Sequence, residues 1–463
     1  MMNEASEQVF AVLLVSCYEL GHQPAGLAVP LGFLRRAGLS AEAIDISVQG
    51  FDEARARAAR FVGVSVPMHT ALRLGVRIAE QVRRINPDCH ICFYGIYATL
   101  NADYLLDTVA DSVIGGEVEE ELVALVKAVA AGEFSNGEEA KRRAALPVLA
   151  RLQFPLPERG ELATLERYAR LAVDGQERLA GYTEASRGCL HHCTHCPIPP
   201  VYGGRFFVIP QEVVMADARQ QVAAGARHLT FGDPDFLNGP THALRLARQL
   251  HAEFPDLTFD FTAKIEHLLK HRALLPELAQ AGCLFVVSAV ESLSDTVLAH
   301  LDKGHTRADV DEALELLNEA GITLRPSFVA FTPWTTLDDY LELLEFVESR
   351  NLIDHVDPVQ FSIRLLVPPG SLLLNEAGPW LGPLNQQAFT YEWQHSDPRM
   401  DELHREVTRL VEQAVQRNED AAATFAHVCE AAYTMRGGEV IKRLPVATAL
   451  RRRPPRLTEA WFC

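Results

Sequence analysis

Gly188-Cys189-Leu190-His191-His192-Cys193-Thr194-His195-Cys196-Pro197 is the stretch from which the rest of the chain can be read. Its three cysteines have three and two residues between them and follow a strand-like run, 180–187. Thiolates are soft ligands, and three of them this close read as a metal site rather than a lone nucleophile or a disulfide framework. Two kinds of site stay open at this point. One is an iron–sulfur cluster; the other is a small zinc loop whose fourth ligand is His191, His192 or His195.

Outward from this loop, strand-like runs recur with helices between them at 181–186, 227–231, 258–263, 283–289, 323–331 and 359–366. Six such units across 180–370 describe a partial, open β/α barrel, with its active face where the strands end. Upstream, apolar runs at 9–15, 43–48, 60–66, 90–94 and 111–114 alternate with amphipathic stretches such as 72–85. Continuous apolar runs of this kind are buried parallel strands, so residues 1–150 read as an open doubly wound domain. Residues 151–179 hold Pro155 and Pro157 and read as an extended linker, with a short helix expected over 162–171. Residues 371–463 read as a helical extension, with helices at 400–417 and 424–434. The fold class is thus α/β: a doubly wound parallel-sheet domain, then a partial (β/α)6 barrel, then C-terminal helices.

A Cys-x3-Cys-x2-Cys loop after the first strand of such a barrel resembles the radical S-adenosylmethionine (SAM) superfamily. The resemblance implies that Cys189, Cys193 and Cys196 hold a [4Fe–4S] cluster by three irons, and that SAM chelates the fourth. His195 stands where many members carry an aromatic residue. The turn Gly232-Asp233-Pro234 matches the position of a Gly-Gly-Glu-like turn that meets the SAM amino group. Glu291, followed by Lys303-Gly304-His305-Thr306, matches a carboxylate that reaches the ribose hydroxyls. Lys264 and Arg325 are candidates for the SAM carboxylate, and Arg364 for that carboxylate or the substrate; a structural ion pair is the alternative for each.

The first domain resembles the cobalamin-binding domain of one radical SAM subclass, with Gly116-Glu117-Val118-Glu119 close to that subclass's Gly-Glu-Gly-Glu-like turn. The loop Cys17 to Pro24 lacks the Asp-x-His-x-x-Gly arrangement that ligates cobalt, because His22 has neither the aspartate nor the glycine. The expectation is therefore a domain kept for architecture or for covering the active site, without cobalamin.

The end of the sequence, Trp461-Phe462-Cys463, resembles radical SAM proteins with a Cys-Cys-Ala-Glu-Pro or selenocysteine-Cys tail, of which only the first cysteine is present. That resemblance implies that the chain continues, and that Cys463 captures a thiophilic atom. The leading reading is transfer of a 3-amino-3-carboxypropyl group to trivalent arsenic or another small thiophilic substrate. A cobalamin-dependent methyltransferase and a non-catalytic metal sensor are the alternatives. The implied partners are a small-molecule substrate and a one-electron donor such as flavodoxin or ferredoxin.

Composition narrows the setting. With 61 acidic against 43 basic residues the net charge is −18, which disfavours a nucleic-acid substrate. No apolar run approaches the ~20 residues needed to cross a bilayer. Nine cysteines without regular pairing fit a reducing, cytoplasmic setting.

Overall fold

The computed structural model describes residues 11–134, 146–437 and 453–459. The first sheet contains β1 (Val12–Ser16), β2 (Ala41–Asp45), β3 (Phe61–Ser65), β4 (His90–Tyr94) and β5 (Ser112–Ile114). All five strands are parallel, in the order β2-β1-β3-β4-β5. β1, β3 and β4 are buried at every residue, because helices cover both faces and leave no wet side for a polar alternation. Helix His69–Ile85 shows the complementary pattern, burying Leu72, Val76 and Ala79 along one stripe. In this order the chain reverses direction between β1 and β3, and the crevice beyond their carboxyl ends is where such sheets take ligands.

The second sheet runs β13-β12-β11-β10-β7-β6-β16. It comprises β6 (Arg170–Val173), β7 (Gln176–Thr183), β10 (His228–Phe231), β11 (Thr258–Thr262), β12 (Cys283–Glu291), β13 (Thr323–Phe328) and β16 (Arg456–Leu457). β8 (Ser186–Gly188) and β9 (Phe206–Val208) form a separate antiparallel pair that frames the cysteine loop. β14 (Leu381–Asn385) and β15 (Thr390–Trp393) make a hairpin where the sequence reads as irregular. Strands β7, β10, β11, β12 and β13 are parallel, and their helices enclose one large apolar core.

Three elements differ from expectation. The run 162–171 forms a 3-10 turn at Leu165–Arg167 and then enters β6, because it pairs antiparallel with β7. The sixth barrel strand is reduced to a 3-10 turn, Pro358–Ser362, and one isolated bridge between Phe331 and Arg364. Its place in the ladder is taken by a side chain, since Gln360 Oε1 accepts from the Phe328 N–H at 3.0 Å. The C-terminal segment supplies what the sequence did not announce. β16 adds to β6, and Arg456 there lies within electrostatic reach of Arg325 on β13 and of Asp357. The two edges of the sheet therefore curl towards each other, and the returning tail occupies the gap between them.

Candidate active site

Two glycines set up the cysteine loop. Gly188 has φ +73°, and a Cβ there would lie 2.4 Å from the Arg205 carbonyl oxygen. At Gly232 a Cβ would overlap the Tyr182 hydroxyl at 1.8 Å, so only glycine lets β10 end beneath that ring. Asp233 is buried and accepts from the Ala185 N–H at 2.9 Å and the Ser186 hydroxyl at 2.5 Å. Its carboxylate thus fixes the strand that leads into the loop. Thr194 anchors the middle of the loop, donating from N–H to Leu301 O at 3.1 Å and from its hydroxyl to His300 O at 2.8 Å. Asn238 Oδ1 accepts from the Leu190 N–H at 3.3 Å, and its Nδ2 is buried without a protein partner.

Cys189 and Cys193 are buried, and the three thiols of the loop interact electrostatically with one another. Burial raises Cys189 and lifts Cys196 to about 12. Among the described residues, the triad whose ligand atoms all lie within 4.8 Å of one another is His191, Asp235 and His267. Three soft thiolates from one short loop can hold three irons of a cubane cluster and leave the fourth without a protein ligand. The donor set therefore fits a [4Fe–4S] cluster with three thiolate ligands.

Around the thiols the polar groups form chains. Lys264 Nζ donates to His191 Nδ1 at 3.1 Å, His191 Nε2 meets His267 Nε2 at 3.2 Å, and His267 Nδ1 reaches Asp235 Oδ2 at 2.9 Å. Glu291 closes β12 at φ +65°, just after a register shift against β13. The strained turn carries its carboxylate to His195 Nε2 and Lys303 Nζ, each at 3.2 Å. Burial alone would raise Glu291, but the Lys303 ammonium and His195 hold it down to about 2. Lys303 is buried too, yet Glu291 and the thiols Cys193 and Cys196 raise it.

The structure thus gathers Cys189, Cys193, Cys196, Lys264 and Glu291 around the loop, with Gly232, Asp233 and Pro234 at the adjoining strand end. Arg325 sits deeper, inside the curl of the sheet. Arg364 is elsewhere, which corrects its assignment to SAM carboxylate or substrate. Its guanidinium bonds Asp401 and the Trp393 carbonyl, each at 2.7 Å, and stacks 3.5 Å from the Trp393 ring centroid. A single bridge to Phe331 pairs its backbone, and the side chain leaves that bridge towards Asp401 and Trp393. Cys463 lies outside the described residues. Sequence reasoning missed Asp235, Asn238 and His267; the carboxylate two residues beyond Asp233 and the histidine three beyond Lys264 were the available signals.

A cavity of about 460 Å³ lies between the two sheets. The first sheet contributes Glu19, His22, Ser65 and Glu119, and the second contributes Tyr182, Gly232, Thr262 and Arg325. Leu457 and Glu459 of the returning tail also line it, with Glu459 accepting from the Tyr18 hydroxyl at 3.1 Å. The Gly116-Glu117-Val118-Glu119 turn docks here through Arg187, one residue before Gly188. Arg187 pairs with Glu119 at 2.6 Å, Glu184 at 3.0 Å and Glu117 at 3.5 Å. Ser16 Oγ, Glu19 Oε1 and Glu119 Oε2 are covered but have no protein partner. Orphaned hydrogen-bonding atoms at the strand ends fit an amide-fringed cofactor such as cobalamin, and His22 presents a ring that burial keeps neutral, with a pKa of about 4.

Burial raises the carboxyl groups of Asp233 and Glu117 to about 7, against hydrogen bonds to the first and the Arg187 charge beside the second. The folded state therefore keeps protons that the unfolded chain releases, and stability declines as pH rises from 4.5 towards 7 for Glu117. Glu117→Gln is expected to flatten part of that decline, which melting curves across the same interval would register. An unchanged slope would show that Glu117 is ionised in the fold.

Two family models match this chain: the B12 binding domain over residues 11–126 and the radical SAM superfamily over residues 183–347. The chain therefore carries a B12-binding domain followed by a radical SAM domain. Among curated relatives, the ribosomal protein uS12 methylthiotransferase RimO of Geobacter sulfurreducens is 28% identical over 186 residues, 36% of this chain and 39% of that protein. The alignment thus spans about two fifths of that relative's length. The fold is shared with the radical SAM methyltransferase TsrM from Kitasatospora setae, solved with tryptophan substrate and aza-SAM. That match has TM-score 0.60 and 19% identity, covering 74% of this chain and 71% of TsrM. It is shared also with the cobalamin-dependent SAM radical enzyme OxsB, solved with aqua-cobalamin and SAM. There the TM-score is 0.68 at 16% identity, covering 88% of this chain and 67% of OxsB. These findings overturn the expectation of a domain without cobalamin. The missing Asp-x-His-x-x-Gly loop removes one ligand to cobalt, whereas the match extends over the whole sheet.

Proposed function

We propose that this chain is a cobalamin-dependent radical SAM methyltransferase acting on a small molecule. The observation that carries the reading is the cavity, which joins the strand ends of the B12-binding domain to the lumen beside the cysteine loop. Bound on its two sides, cobalamin supplies a one-carbon carrier, and the cluster with SAM supplies one-electron chemistry fed by an external reductant. The chain's own work is placement. Cys189, Cys193 and Cys196 are the cluster ligands, carbonyls of the Gly232–Pro234 turn meet the SAM amino group, and Lys264 faces its carboxylate. Glu291, kept ionised by Lys303 and His195, accepts from ribose hydroxyls. Arg187 ties the cobalamin-side turn to the cysteine loop, so the two halves keep one spacing while the tail excludes water.

Aminocarboxypropyl transfer to arsenic rested on Cys463, and the relatives with named activities favour methyl or methylthio transfer instead. Anaerobic reconstitution with iron, sulfide and hydroxocobalamin should yield one cobalamin per chain. With SAM and reductant, S-adenosylhomocysteine should then appear. Methylthioadenosine as the sole SAM product, or no cobalamin bound, would reject the reading.

A further inference from the structure

Arg325 is an unusual residue for its position. It lies in the middle of a parallel strand, in register with Val287, and is only 8% exposed. A guanidinium cannot shed its charge, so its donors need partners wherever it is buried. One is supplied: Nη2 donates to Asp357 at 3.0 Å. The other, Nη1, is covered and has no protein partner. His355 commits Nδ1 to the Leu324 carbonyl at 2.9 Å, and Gln360 Oε1 is occupied by the Phe328 N–H. Arg456 of β16 brings a second guanidinium within electrostatic reach, with Asp354 and Asp357 as the acids around it. Arg325, Ser327, His355, Asp357 and Gln360 form one wall of the cavity, and Arg456 and Asp354 lie behind it. Tyr182, Phe231, Phe285, Val287 and Leu457 line it elsewhere, and Glu184, Asp233, Asp260 and Glu459 are among the acids on the remaining walls.

We infer that this wall is the recognition site for the acceptor substrate, and that it takes a carboxylate carried on an apolar or aromatic body. The inference rests on the methyltransferase reading for the word acceptor, but not for the binding itself. A carboxylate oxygen supplies what Nη1 lacks, and a charge-assisted bond in a covered site discriminates strongly against an uncharged isostere. The rings and aliphatic side chains elsewhere reward an apolar body that a small inorganic anion does not have. Arg325 is then a specificity residue. It anchors the far end of the substrate and leaves the near end under the Gly232 turn.

The test is equilibrium binding to the full, anaerobically reconstituted chain with SAM present, so turnover is not required. The probes are aryl- and alkyl-monocarboxylates small enough for the cavity, each paired with its own primary amide. At least one acid should bind about tenfold or more tightly than its amide. Arg325→Met should abolish that preference, Arg325→Lys should retain part of it, and SAM affinity should be unchanged in both. If no acid is preferred, or if Arg325→Met weakens SAM while sparing the preference, the assignment is wrong, the second result giving Arg325 to the SAM carboxylate. Should Arg325→Met not fold, Arg325→Lys together with Ser327→Ala decides the matter, since full retention of the preference in both overturns it. The methyl-transfer reading fails separately, through the SAM products.

Discussion

Alanine in place of Cys189, Cys193 or Cys196 is expected to reduce iron and sulfide to background and to end SAM turnover, with the first domain still folded. Two of the three histidines in the loop are already engaged. His195 is held by Glu291, and His191 is held between Lys264 and His267. His192 packs beneath Gly204, where a Cβ would lie 2.4 Å from its Nε2. Freeing His191 or His195 breaks these part-buried hydrogen bonds, so neither imidazole replaces a lost thiolate cheaply, and exposed His192 is the ring to watch. Iron and acid-labile sulfide analysis of anaerobically purified variants, beside a melting curve, separates loss of the cluster from loss of the fold. Retention of a full cluster in any variant would show that the three cysteines are not the ligand set. Stoichiometric zinc in the colourless parent would replace the cluster reading altogether.

What was legible in the sequence follows from where the signals were local. Runs such as Val12–Ser16 and Phe61–Ser65 declare buried parallel strands because both faces are covered. The cysteine spacing declares a metal site because no other use of three thiols is economical in so short a loop. The sixth barrel strand misled because 359–366 has strand composition, while its ladder bond is made by the Gln360 side chain, a tertiary event without periodicity. Arg364 misled for the same reason, and its partner Asp401 is on another element. Cobalamin was misjudged because a missing ligand motif was weighed above the whole domain, whose match rests on the sheet and its crevice. The orphaned Arg325 donor is a tertiary feature and the tail's return to β6 depends on pairing across more than a hundred residues, and no spacing in the chain announces either.

The linker gave no functional signal, yet Arg159 within it joins the loop after β1 to the helix and strand of the second sheet. Its side chain is 8% exposed and forks onto Asp217, Nε to Oδ1 at 2.6 Å and Nη2 to Oδ2 at 2.8 Å. Nη2 also reaches the Tyr182 carbonyl at 2.7 Å, while Nη1 reaches Gln23 Oε1 at 2.8 Å, in the loop after β1. Asp217 accepts in addition from Thr183, Gln220 and Gln221. Taking such a pair out of water is costly, and the bidentate geometry with its extra bonds is what offsets the cost. Removing one partner strands the other, so Arg159→Met and Asp217→Asn should each destabilise the protein by about 3–5 kcal/mol. The double variant Arg159→Met with Asp217→Asn should recover much of that loss, because no charge is then left buried and unpaired. Denaturant unfolding of the four proteins gives the cycle directly. The effect should reach the cavity as well. Gln23 directly follows His22, whose ring lies tilted against Tyr182 at 4.6 Å between centroids, so amide exchange in the loop after β1 should rise in Arg159→Met. Equal, additive losses in the cycle, with the loop still protected, would mean that Arg159 only fills space and that the domains are aligned by Arg187 and the Glu117–Glu119 turn instead.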